Sequence, residues 1–189
     1  MAELYIGFVD TPGLFASMIR GVIRQKYIHV VVGLDDRLEE AYSFGRRNPA
    51  VPLIAGFEKE NKYKIWQVFP NADYMVCSVS CTDEQKDYIK EKLEEAYRER
   101  SHYHYAVLGL PFILCKRPFY QKNHYTCSSY IGKLFEEAGI HAWGKHFSLV
   151  TPKDFFEWDG KKVIFEGKLQ ELLDEPGFLP AFRSGIILR

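Results

Sequence analysis

The stretch Tyr27-Ile-His-Val-Val-Val-Gly-Leu34 restricts the fold more than any other part of the chain. Its density of β-branched residues marks a strand. Asp35-Asp36 follows as a turn signal, and Leu38 to Gly45 reads as the strand that returns, which makes an antiparallel hairpin. Other segments supply further strands. Leu4 to Val9 is short and apolar, Trp66 to Val68 and Lys162 to Phe165 are short, and Tyr74 to Cys81 alternates so that one face should be buried. Arg46 to Pro52 holds two prolines and reads as a loop.

Between these lie segments of helical character. Thr11-Pro12 opens one that runs to about Arg24, with Leu14, Phe15, Met18, Ile19, Val22 and Ile23 at helical spacing. Thr82 with Gln85 forms a capping box for a charged helix to about Arg98, its inner stripe Ile89, Leu93 and Ala96-Tyr97. Thr126 opens a third that Gly139 ends, and Thr151-Pro152 a short fourth through Trp158. The expected class is α+β, a central antiparallel sheet packed against helices.

Length and composition bound the rest. A chain of 189 residues and 22.0 kDa suits one domain, residues 1–189, with 159–189 as a C-terminal extension. Hydrophobic residues at 47% and charged residues at 26% are ordinary for a globular protein and exclude disorder as the main state. Lys plus Arg number 25, as do Asp plus Glu, so the net charge is zero and no polyanion partner such as nucleic acid is expected. The opening Met-Ala-Glu-Leu-Tyr has no signal-peptide pattern, and no apolar run is long enough to span a membrane. Cytoplasm is the expected location, where the four cysteines would stay reduced.

One of those cysteines stands where a helix begins. Cys127, Tyr130-Ile131, Leu134-Phe135 and Ala138 share an apolar stripe, so Cys127 faces the core. The first turn of a helix favours a thiolate through the helix dipole. His29 is the candidate base: a strongly hydrophobic strand is a poor place for an unpaired imidazole, and opposite Cys127 it would form a thiolate–imidazolium pair. A third polar group usually holds such a ring by its other nitrogen. The returning strand offers Glu40 and Ser43, and spacing does not choose between them.

These residues carry a resemblance. Tyr27 to Asp35 followed by Glu39-Glu-Ala-Tyr-Ser-Phe-Gly-Arg46 resembles the histidine hairpin of the NlpC-like papain-fold superfamily. Tyr125-Thr-Cys-Ser-Ser-Tyr-Ile131 and Ser148-Leu-Val-Thr-Pro-Lys-Asp-Phe155 look like its nucleophile helix and the start of the next. With histidine first and cysteine later, the order is similar to the circularly permuted branch, which includes YiiX-like proteins and relatives of lecithin:retinol acyltransferase. The resemblance covers about Leu4 to Phe156 and implies a papain-like catalytic domain with Cys127 as nucleophile and His29 as base. Glu40-Ala41 aligns with the Glu-Ala of that hairpin, and a longer register places Ser43 there instead. Two features depart from the acyltransferase relatives: no Asn-Cys-Glu tripeptide surrounds Cys127, and no second histidine stands about a dozen residues after His29.

The expected function is that of a thiol hydrolase of the cysteine peptidase or amidase kind. It would cleave an amide or ester bond in a peptide, a cell-wall fragment or a lipid conjugate. An acyltransferase using the same dyad and a non-catalytic ligand-binding module on the same fold are the alternatives. No cofactor or metal is expected: His102, His104, His124 and Cys115 lack zinc-finger spacing. Cys77 and Cys81, about 13 Å apart on one strand, are too far apart for a disulfide. The aromatic stretch Tyr103 to Tyr120 either backs the Cys127 helix or walls a substrate groove, and Pro176 to Phe182 either drapes over the domain or caps the cleft.

Overall fold

The strand Ala2–Asp10 (β1) lies between two others at the middle of a six-stranded sheet. It pairs with His29–Gly33 (β2) on one side and Asp73–Cys81 (β5) on the other. Beyond β2 come Ala41–Asn48 (β3) and the edge strand Val51–Lys59 (β4), and beyond β5 the edge strand Lys162–Lys168 (β8). The order is β4-β3-β2-β1-β5-β8, antiparallel throughout. This computed structural model describes residues 1–10, 25–48 and 51–174. The helix expected over 11–24 and the apolar tail 176–182 lie outside the described residues.

Alternation along the strands divides the core in two. Leu4, Ile6 and Phe8 of β1, Val30 and Val32 of β2 and Met75, Cys77 and Val79 of β5 point to one face. The helices Asp83–Arg98 (α2), Cys127–Glu137 (α4) and Pro152–Glu157 (α5) cover that face with Ile89, Leu93, Ile131, Leu134, Phe135 and Phe155. The other face carries Val9, Val31, Tyr74 and Val76, packed with Ile65 of Lys62–Val68 (α1) and Leu169 and Leu172 of Leu169–Asp174 (α6). Residues 110–114 form a further short helix (α3), and His104–Tyr105 (β6) and His124–Tyr125 (β7) make a two-stranded parallel ribbon before α4.

Several expectations are corrected here. Trp66 to Val68 is the end of helix α1, not a strand, because Asn61 caps the preceding turn by accepting from the Lys64 N–H at 2.9 Å. The loop expected over Arg46 to Pro52 is largely strand: β3 runs to Asn48 and β4 starts at Val51. Proline is admissible in β4 because the strand is an edge. β5 is buried on both faces rather than one, since α6 covers the second. The strand expected over Lys162 to Phe165 is present as β8, which runs on to Lys168 at the sheet's edge, with α6 behind it. Cys77 and Cys81 are buried as free thiols.

Candidate active site

Helix α4 begins at Cys127 for a local reason. Thr126 accepts from the Ser129 N–H at 3.1 Å, and Ser129 Oγ accepts from the Thr126 N–H at 2.8 Å, a capping box that fixes the first turn. Ser128, buried, donates to the Val150 carbonyl at 2.7 Å and ties that turn to the chain leading into α5. Cys127 itself is only 4% exposed.

His29 is the first residue of β2 and lies beside Cys127, close enough for each to shift the other's ionisation. Its Nε2 donates to Glu60 Oε1 at 2.8 Å. Ser43 Oγ stands 3.1 Å from the same nitrogen and donates to Glu60 as well, so imidazole, hydroxyl and carboxylate close a small ring of contacts. With Nε2 engaged there, Nδ1 is the ring nitrogen left for the sulfur. Glu60 follows β4 directly, and its N–H donates to the Ala41 carbonyl at 2.8 Å, which holds the carboxylate beside the hairpin. Gly45 makes room for the ring: a methyl there would lie 3.2 Å from His29 Cε1 and 3.2 Å from Ser43 Oγ.

The electrostatics follow from this geometry. Burial disfavours a charged imidazole, but the hydrogen bond to Cys127, the hydrogen bond to Glu60 and the charges of both outweigh it and raise His29 to about 10. Burial would likewise push the Cys127 thiol up. The His29 hydrogen bond and charge, with the Val30 and Ser128 backbone N–H groups, bring it below its ordinary value. Both shifts favour the same state, thiolate beside imidazolium. Tyr105 of β6 completes the surroundings: burial, and then the nearby Cys127 charge, raise its phenol well above the usual range.

Of the residues singled out in the sequence, the fold brings Cys127, His29 and Ser43 together. Glu40 is not with them. Its carboxylate accepts from the Tyr42 hydroxyl at 3.0 Å, while Glu60 takes the place beside His29. Sequence reasoning misses Glu60 because it ends the hairpin in a loop over Arg46 to Pro52 and draws no strand over residues 53–59 to return a carboxylate. The signal at hand is Asn61, whose capping role marks a helix start two residues after the strand's end at Lys59. The aromatic stretch divides. Tyr103 turns inward onto Phe44 and Phe57, with ring centroids 6.0 and 6.1 Å away, while Val107, Leu108, Phe112 and Leu114 are exposed. His104 and His124 lie ring to ring at 5.0 Å across β6 and β7.

Fold and site together define an α+β protein in which a helix-start cysteine meets a strand-start histidine backed by a carboxylate. No family model matches the sequence, and no curated protein matches it. Among solved structures, the crystal structure of metalloprotein YiiX from Escherichia coli O157:H7, DUF1105, is similar with a TM-score of 0.53. The match covers 88% of this chain and 98% of that one at 14% identity, so the fold is YiiX-like. Among the described residues of this chain, no group of three or more His, Cys, Asp or Glu side chains is placed to hold a metal ion. The described residues do not fit a resident metal, and no step below is routed through one.

Proposed function

We propose that the chain is a thiol hydrolase on a circularly permuted, papain-like NlpC-type fold, with Cys127 as nucleophile, His29 as acid and base, and Glu60 as the residue that holds the ring. The observation that carries this reading is His29 set beside a buried helix-start thiol and held by Glu60 at 2.8 Å. A structural cysteine has no need of such a partner, and burial by itself would keep it a neutral thiol.

In the reaction, the Cys127 thiolate attacks the carbonyl carbon of an amide or ester. The oxyanion that forms faces the first turn of α4, where backbone N–H groups lack helical acceptors. The tetrahedral adduct collapses to a thioester as His29 gives its proton to the departing amine or alcohol. The neutral ring then takes a proton from water, the hydroxide attacks the thioester, and acid leaves as the thiolate–imidazolium pair is restored. Glu60 and Ser43 keep Nε2 occupied so that the other nitrogen stays aimed at sulfur.

The test is alkylation by a small electrophile followed by peptide mapping. Wild type should label at Cys127 in preference to the other buried thiols, Cys77 and Cys81, and Cys127→Ala should lose that label with its thermal transition unchanged. Undiminished labelling of the variant would remove Cys127 as the reactive thiol. With an activated ester as substrate, acid is the expected product, whereas coupling to an added amine or alcohol ahead of water would redirect the reading to acyl transfer.

A further inference from the structure

The segment between β6 and β7 breaks the pattern of the rest of the molecule. Its helix α3 has the sequence Leu110-Pro-Phe-Ile-Leu114, yet none of its residues is buried. Val107 is 62% exposed, Leu108 68% and Leu114 60%. This is a formed lobe. Arg117 N–H donates to the Phe112 carbonyl at 3.0 Å and Lys116 N–H to Ile113 at 3.1 Å, Phe112 stacks on Phe119 with centroids 4.5 Å apart, and the Phe119 N–H reaches Ser148 Oγ at 3.3 Å. A water-facing apolar lobe held in one shape marks a contact surface.

Charge says what it contacts. In a chain of zero net charge, residues 100–124 carry Arg100, Lys116, Arg117 and Lys122 and not one Asp or Glu. Lys116, Arg117 and Lys122 are exposed, and none of the ion pairs among the described residues involves them. Exposed apolar side chains next to cations without counter-charges suit a bilayer with anionic headgroups: the apolar groups enter the acyl boundary while the cations meet phosphate. An acidic protein partner would match the charge but has no need of four large apolar groups pointed into solvent.

The lobe also shapes a hollow of its own. Val107, Leu108 and Gly109 line a cavity of about 230 Å³ together with Tyr105, Phe119 and His124. We propose that the lobe Val107 to Lys122 is a membrane-docking surface that seats the protein on anionic lipid. The inference stands apart from the catalytic reading, since docking needs only the lobe.

Cosedimentation of the full chain with vesicles tests it, using phosphatidylcholine alone and phosphatidylcholine mixed with phosphatidylserine. Wild type should bind the mixed vesicles and release as salt rises. Lys116→Glu with Arg117→Glu should weaken that binding about tenfold or more, and Leu108→Asp with Leu114→Asp should do the same, each with an unchanged thermal transition. Cys127→Ala should bind as wild type does, so a dead catalyst and a non-binding lobe are told apart. In a Cys127→Ser background, an environment-sensitive dye on the exposed Cys115 should shift to the blue on mixed vesicles. Failure of wild type to bind either vesicle would overturn the proposal. So would equal binding by the lobe variants, or a solution dimer that Leu108→Asp dissociates.

Discussion

Glu60 is the residue on which the acid–base behaviour turns. With Glu60 in place, His29 holds its proton up to about pH 10, and the Cys127 thiolate persists below the pH at which a free thiol ionises. The reactive state therefore has an acid limb set by Cys127 and an alkaline limb set by His29. Glu60→Gln removes one of the charges that raise His29, so its alkaline limb should move to lower pH while the acid limb moves little. The rate should also fall, by about a hundredfold if ring orientation is the main loss. A pH–rate profile on an activated ester checks both. Ser43→Ala should shift the same limb in the same direction by less, because the hydroxyl supports the contact without supplying its charge. Of this site, Cys127 and His29 were legible in the sequence because each breaks a local rule: a polar ring in an apolar strand and a thiol in a capped first turn. The carboxylate was not, because its place depends on where a second hairpin ends.

At the scale of the element, the hairpin of β2 and β3 holds the site's geometry. Gly45 is its most sensitive position, since any side chain there meets His29 and Ser43 together. Gly45→Val should leave a folded protein whose ester hydrolysis is largely lost. A thermal melt near that of wild type beside an inactive assay would show it, and normal activity would mean that the ring has slack. Elements with long periodic patterns were legible: α2, α4 and the strands β1, β2 and β5 lie where hydrophobic spacing places them. Two short neighbours were not. Pro52 and Gly56 mask β4, which tolerates them because only one of its edges pairs. Helix α1 has seven residues, too few for a repeat, and Trp66 to Val68 alone looks like a strand.

For the molecule as a whole, the two-sided core fixes α4 against the sheet. Phe135 is fully buried, with Trp143, Phe155 and Trp158 around it at centroid distances of 6.3, 5.9 and 5.9 Å. Phe135→Ala should cost about 3–5 kcal/mol by denaturant unfolding, the usual penalty for an emptied aromatic site. It should also slow Cys127 alkylation by loosening α4, whereas a smaller cost would mean that the helix is held mainly by its caps. Edge strand β8 and helix α6 close the second face, so the stretch after Asp159 is structural up to Asp174. Among the described residues, no helix is long and apolar enough to cross a membrane. The reactive thiolate depends on the meeting of two distant residues, and the pH dependence of Cys127 alkylation measures it most directly. With His29 present, the rate should reach its plateau well below the midpoint of an ordinary thiol, about 8.5, and His29→Ala should move the midpoint up. A wild-type midpoint at the ordinary value, unmoved by His29→Ala, would contradict the thiolate–imidazolium pair.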